Sequence, residues 1–146
     1  MFENILVVCI GNICRSPVAE ALLKDALINK VKKDYKISSA GLGAMVGHQP
    51  DKTVCELMLE KGIDISDYRA AQLNQEMIYK SDLILVMETA HKELIEHKEP
   101  SAKGKVFKLG EWRNFEIPDP YRQERKVFEE VVQLIEKGVQ DWVSKI

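Results

Sequence analysis

The run Cys9-Ile10-Gly11-Asn12-Ile13-Cys14-Arg15-Ser16 sets a thiol and a guanidinium at the two ends of a short segment that also holds Gly and Asn. A loop leading into a helix N-terminus turns several backbone N–H groups inward, and the helix dipole adds partial positive charge there. The segment is thus an anion site before any side chain acts. Gly11 and Asn12 are the residue types that best tolerate the left-handed conformations of a tight concave loop. At the bottom of such a cradle, the N–H donors, the dipole, Arg15 and the Ser16 hydroxyl would all favour the Cys9 thiolate, the nucleophilic form of cysteine. Arg15 offers a planar fork of donors that fits two equatorial oxygens of a phosphoryl group as charge spreads over them; lysine would bring charge without that geometry. The chemistry these residues suit is displacement at phosphorus by sulfur.

If the leaving group is a tyrosyl oxygen, a proton donor is needed, because an unprotonated phenolate is a costly leaving group at neutral pH. Asp119 is the best candidate. It lies in Ile117-Pro118-Asp119-Pro120-Tyr121, where two prolines restrict the backbone and could hold a carboxyl group over a pocket mouth. Tyr121 beside it offers an aromatic wall.

Plainer readings compete at each position. Cys9 alone would most often be a buried structural thiol, and Asp119 alone a turn residue between prolines; their occurrence in one chain with Gly11, Asn12, Arg15 and Ser16 favours catalysis. Zinc held by Cys9 and Cys14 is a weak reading, since the spacing is wide and no second ligand pair is visible. Cys14 reads equally well as a resolving thiol for oxidised Cys9 and as a passive loop residue. Cys55 sits near Val54, Leu57 and Met58, so packing accounts for it. His48, His91 and His97 are scattered among polar residues and are expected to face solvent.

The elements that must position these groups follow from hydrophobic patterning. Ile5 to Val8 and Leu83 to Met87 are continuous apolar runs, the signature of strands buried on both faces of a parallel sheet. Shorter strands are expected at Tyr35 to Ser39 and Val106 to Leu109. Helices are predicted from Val18 to Lys33 with Ser16 as cap and Pro17 in the first turn, from Asp51 to a stop at Gly62, from Gln75 to Lys80, and from Thr89 to about Lys98. A last amphipathic helix carries Val127, Val131, Leu134, Ile135 and Val139. Strands alternating with helices predict a doubly wound α/β fold, a parallel sheet of about four strands with right-handed crossovers and the anion loop between the first strand and first helix.

The chain has 146 residues, 45% of them hydrophobic, enough for one ordinary core and too few for two, so residues 1–146 are expected to form one domain. Its 21 basic and 23 acidic residues give a net charge of -2. With like charges no more clustered than the Lys32-Lys33 pair, no nucleic-acid or anionic-membrane surface is expected. The early apolar stretch is too short to span a membrane and the start lacks a signal peptide's basic residues, so a cytoplasmic protein is expected. Three cysteines make no even disulfide framework.

At this point the chain resembles the low-molecular-weight protein tyrosine phosphatases over essentially its whole length. The C-x5-R-S loop near the amino terminus and Asp119-Pro120-Tyr121 near the carboxyl end carry the likeness, with Ser39-Ala40-Gly41-Leu42 and Gly62-Ile63-Asp64-Ile65-Ser66 between them. Ile117 to Arg122 resembles the bacterial, capsule-associated Wzb-like branch. The resemblance implies a cysteinyl-phosphate intermediate on Cys9, hydrolysed by a water that Asp119 activates, with no metal or cofactor. Ile10, Gly11, Asn12, Ile13, Cys14, Ser16, Leu42 and Tyr121 are the implied substrate contacts, and Ser39, with Asn12, braces the loop. The implied partner is a phosphotyrosine protein, and the branch points to a bacterial tyrosine autokinase with a tyrosine-rich tail. One departure is Tyr68-Arg69-Ala70-Ala71, where many relatives have His-x-Ala-Arg; it leaves support of the loop by a histidine open. A thiol-dependent arsenate reductase resembles the same fold, but Met77 to Lys98 lacks the relay cysteine such an enzyme needs. A non-hydrolysing phosphotyrosine-binding module is disfavoured by Cys9, Arg15 and Asp119 occurring together.

Overall fold

Apolar side chains at every position from Ile5 to Val8 can only be satisfied by a strand covered on both faces, and the computed structural model, which describes residues 2–28 and 34–146, places β1 (Asn4–Cys9) at the centre of the sheet. β1 pairs in parallel with β2 (Lys36–Gly41) on one side and β3 (Leu83–Val86) on the other, and β3 pairs with β4 (Val106–Lys108). The strand order is therefore β2-β1-β3-β4, as a doubly wound sheet requires.

Alternate residues of β1 face opposite layers. Ile5 and Val7 enter a core built with α1 (Arg15–Leu27), α2 (Lys52–Glu60) and α5 (Arg125–Val143). Leu6 and Val8 enter a smaller core with Ile78 of α3 (Gln75–Lys80) and Ile95 of α4 (Thr89–Lys98). The amphipathic stripe expected on α5 is present, widened by Phe128, Val132 and Trp142, all buried.

One local expectation needs correction. Ser16 is not the cap of α1: the helix already includes Arg15, Cys14 occupies the cap position without a side-chain hydrogen bond, and the Ser16 hydroxyl is taken up by Cys9 and Asn12. The predicted helix end at Lys33 lies outside the described residues, which show helix to Leu27. Asp51, by contrast, caps α2 by accepting the Thr53 N–H at 2.8 Å, and Gly62 follows that helix at φ +80°.

The order of strands reverses direction between β1 and β3, and such a switch point opens a crevice at the carboxyl ends of the strands. Cys9 ends β1 there. The neighbouring end of β2 must approach it closely: a Cβ on Gly41 would stand 2.4 Å from the Ile10 carbonyl oxygen. Gly41→Ala should therefore cost about 1–3 kcal/mol, the usual range for overpacking, seen as a lower denaturant midpoint with unchanged slope. An unchanged midpoint would show that the loop moves aside freely.

Candidate active site

The curvature of the 9–16 loop is set from outside, by the strap that leaves β2. The carbonyls of Cys9, Ile10, Gly11 and Ile13 accept N–H groups of Leu42 (2.9 Å), Gly43 (3.0 Å), Met45 (3.1 Å) and Asp51 (2.8 Å). A trans peptide directs its N–H opposite to its carbonyl. The N–H groups of Ile10, Gly11, Asn12 and Cys14 accordingly turn away from the strap, toward the concave side of the loop. Asn12 makes the sharpest bend in the left-handed region, at φ 59°.

Cys9 lies under this loop, 2% exposed, with its Sγ 2.9 Å from Ser16 Oγ. Together with Ile10, Gly11, Ile13, Cys14, Arg15, Gly43, Met45, Asp119 and Tyr121 it lines a cleft of about 170 Å³. Asn12 and Ser16 are fully buried beneath the loop instead of lining the cleft.

The Arg15 guanidinium is buried and already oriented. Its Nη1 donates to Glu88 Oε2 at 2.6 Å and to the Ile117 carbonyl at 2.9 Å, which accounts for both N–H groups of that nitrogen. The Nε and Nη2 edge is the fork left for two oxygens of an anion. Asp119 stands at that edge, its Oδ2 3.7 Å from Arg15 Nη2 and its Oδ1 accepting the Tyr121 N–H at 3.0 Å. The carboxyl group is about half exposed, so it can reach an entering substrate. Ile10 and Tyr121 are exposed at the mouth, 39% and 37%.

Several residues differ from their sequence expectations. Leu42 is absent from the cleft lining and packs against the smaller core, while Gly43 and Met45 occupy the cleft wall. His91 is not a solvent-facing histidine: it is 3% exposed, its Nε2 lies 3.4 Å from Glu88 Oε2, and burial together with the nearby Arg15 charge pushes its pKa down. The Cys14 thiol is pushed up by burial first, then by Asp51 and Asp119, which holds it protonated at neutral pH. Cys55 is half-buried and donates to the Pro50 carbonyl at 3.7 Å.

Ser39 and Tyr68 both reach the loop. Ser39 Oγ accepts from Asn12 Nδ2 at 3.0 Å, and the Tyr68 hydroxyl donates to Asn12 Oδ1 at 2.6 Å, at the position where many relatives have a histidine. Glu88 was not among the residues singled out from sequence, and Tyr68 stood out only as a departure from the His-x-Ala-Arg of many relatives. Glu88 follows β3 at the carboxyl edge of the sheet, a position at which an acidic residue can be suspected. For Tyr68 the signal was the resemblance, which marks its position as one that supports the loop in relatives.

Residues 4–146 match the family model described as low molecular weight phosphotyrosine protein phosphatase. A protein of Ralstonia nicotianae named as the probable low molecular weight protein-tyrosine-phosphatase EpsP is 47% identical over 146 residues, covering 100% of this chain and 97% of that protein. The crystal structure of the Erwinia amylovora tyrosine phosphatase AmsI superposes with a TM-score of 0.93 at 47% identity, covering 100% of this chain and 94% of that one. Vibrio vulnificus Wzb, solved in complex with benzylphosphonate, gives a TM-score of 0.93 at 36% identity with 100% of each chain covered.

The Glu88 contact yields a direct test. Removing a charge-assisted hydrogen bond from the guanidinium should lower kcat/KM for para-nitrophenyl phosphate about 10- to 100-fold in Glu88→Ala. An unchanged value would show that Arg15 holds its orientation without Glu88.

Proposed function

Because the chain belongs to the low molecular weight phosphotyrosine protein phosphatase family and is an enzyme of that class, we propose that it hydrolyses phosphotyrosine in proteins through a cysteinyl phosphate on Cys9. The observation that carries this reading is one cleft that holds the Cys9 sulfur, the Arg15 fork and the Asp119 carboxyl group together.

The geometry supports the following steps. The phosphoryl group enters with its oxygens on the loop N–H groups and on the Nε and Nη2 edge of Arg15. The Cys9 thiolate attacks phosphorus and an S–P bond forms as the P–O bond to tyrosine breaks; the Asp119 carboxyl gives its proton to the departing oxygen. Water then attacks the cysteinyl phosphate, Asp119 takes one of its protons, the S–P bond breaks and inorganic phosphate leaves. The loop donors and Arg15 serve both steps, since the same equatorial oxygens carry the charge in each.

The tyrosine ring fits between Ile10 and Tyr121 at the mouth. Both are partly exposed, so a flexible segment could present its phosphotyrosine between them. A bacterial tyrosine autokinase with a phosphorylated tail fits this reading, as the resemblance to the Wzb-like branch suggests. An arsenate reductase would need a relay thiol; Cys55, the one cysteine away from the loop, is engaged with Pro50.

The general acid is tested by leaving-group dependence. Asp119→Asn should slow phenyl phosphate or phosphotyrosine hydrolysis about 100- to 10,000-fold in kcat/KM, the range for one positioned acid. Para-nitrophenyl phosphate should lose less, because nitrophenolate leaves without protonation. Equal losses on both would remove Asp119 from the acid role and make Glu116 the next carboxylate to test.

For the partner, phosphorylated autokinase-tail peptides should be dephosphorylated faster than unrelated phosphotyrosine peptides of equal length. Equal kcat/KM values for the two sets would withdraw the autokinase as partner.

A further inference from the structure

Behind the loop, three side chains close a ring of hydrogen bonds. Asn12 Nδ2 donates to Ser39 Oγ at 3.0 Å, Ser39 Oγ donates to the Tyr68 hydroxyl at 2.7 Å, and that hydroxyl donates to Asn12 Oδ1 at 2.6 Å. The second N–H of Asn12 Nδ2 leaves the ring and donates to Ser16 Oγ at 2.7 Å, and Ser16 Oγ lies 2.9 Å from Cys9 Sγ. We propose that Tyr68 is a positioning residue for the reaction: its hydroxyl closes this ring and so holds Asn12 in the orientation that commits the Ser16 hydroxyl to the Cys9 sulfur. The proposal rests on the reading of Cys9 as nucleophile.

Proton bookkeeping fixes the directions. The Ala71 backbone N–H can only donate, and it meets Asn12 Oδ1 at 2.9 Å, so that atom is the amide oxygen and the other is the NH2 group. Both amide hydrogens are then committed, one to Ser39 and one to Ser16. A thiolate has no proton, so the bond between Cys9 and Ser16 exists in the reactive form only with Ser16 as donor. Ser16 Oγ receives the Asn12 N–H and gives its own hydrogen to sulfur.

Tyr68 has a single hydrogen and two acceptors within reach, Asn12 Oδ1 at 2.6 Å and the Ser39 carbonyl at 3.1 Å. The shorter contact closes the ring. Each hydroxyl in such a cycle is donor and acceptor at once, and each bond polarises the next. Burial, with the negative charge of Glu20 nearby, raises the phenol pKa, so the hydroxyl keeps the proton it donates throughout the neutral range. Without that oxygen, Ser39 loses its acceptor and Asn12 Oδ1 loses one of its two donors, while Asn12 still has to sustain φ 59°. The amide can then rotate, and Ser16 is no longer held as a donor to Cys9.

The test uses Tyr68→Phe, which keeps the ring and removes one oxygen. It should lower kcat/KM for phenyl phosphate, and the rate of Cys9 alkylation by iodoacetate at pH 6, each by roughly five- to tenfold, the rate equivalent of one neutral hydrogen bond. The Tyr68→Phe Ser16→Ala double variant should lose no more than Ser16→Ala alone, because both act on the same sulfur through one chain of bonds. Ser39→Ala, which breaks the ring elsewhere, should reproduce the Tyr68→Phe losses and carries the test should Tyr68→Phe not fold. Wild-type kinetics and alkylation in these variants, or losses that multiply in the double variant, overturn the proposal. Turnover retained by Cys9→Ser would instead sink the nucleophile reading itself, whereas an inactive Cys9→Ser beside a fully active Tyr68→Phe sinks only the role of Tyr68.

Discussion

The strap of backbone hydrogen bonds between the 41–51 segment and the carbonyls of the 9–16 loop is the constraint on which the site depends. A cradle for a phosphate dianion needs N–H groups turned inward, and inward N–H groups require outward carbonyls. Buried carbonyls need donors of their own. The strap supplies them in register with the loop, with Leu42, Gly43, Met45 and Asp51 on Cys9, Ile10, Gly11 and Ile13. The loop is thus held open for an anion before one arrives, and donors fixed in place lose little in reorganisation as charge develops.

The same logic governs Arg15. A guanidinium that is 2% exposed would be costly without a partner, and Glu88 provides one while remaining about one-third exposed itself. Because the pair uses only Nη1, an entering phosphoryl group need not displace Glu88 to reach the Nε and Nη2 edge. The residue is buried and oriented in advance, yet keeps its bidentate face for the phosphoryl group of the proposed mechanism.

The parts legible in the sequence are those whose causes are local. Ile5 to Val8 and Leu83 to Val86 declare themselves because a strand buried on both faces leaves no polar position to obscure it. Cys9, Gly11, Asn12 and Arg15 form one contiguous loop, and Asp119 is marked by its two prolines. Asp51 capping α2 is a two-residue interaction and was readable for the same reason. What escaped the sequence is set by contacts across the chain. Ser16 looked like a helix cap until the fold gave its hydroxyl to Cys9 and Asn12. Leu42 turns to the smaller core and leaves the cleft wall to Gly43 and Met45, which no local pattern announces. His91 reads as polar surface in sequence, and only the packing of α4 beside Arg15 and Glu88 buries it. Tyr68 lies 56 positions from Asn12, so no spacing rule could join them.

Ile117 ties these arrangements into one unit. Its N–H donates to the Met87 carbonyl at 3.0 Å, which registers the Asp119 loop on the exit of β3, and its carbonyl accepts Arg15 Nη1 at 2.9 Å. Met87 precedes Glu88, the other partner of the same nitrogen. The segment that carries Glu88 and the segment that carries Asp119 are therefore hydrogen-bonded to each other and to Arg15. Asp119 follows Ile117 by two residues, with Pro118 restricting the backbone between them. Displacement of Arg15 would have to move the Ile117 carbonyl, and with it the carboxyl group over the cleft. In the proposed mechanism, binding of the phosphoryl oxygens and protonation of the leaving oxygen would thus be aligned by one continuous set of bonds, although the loop and Asp119 lie near opposite ends of the chain.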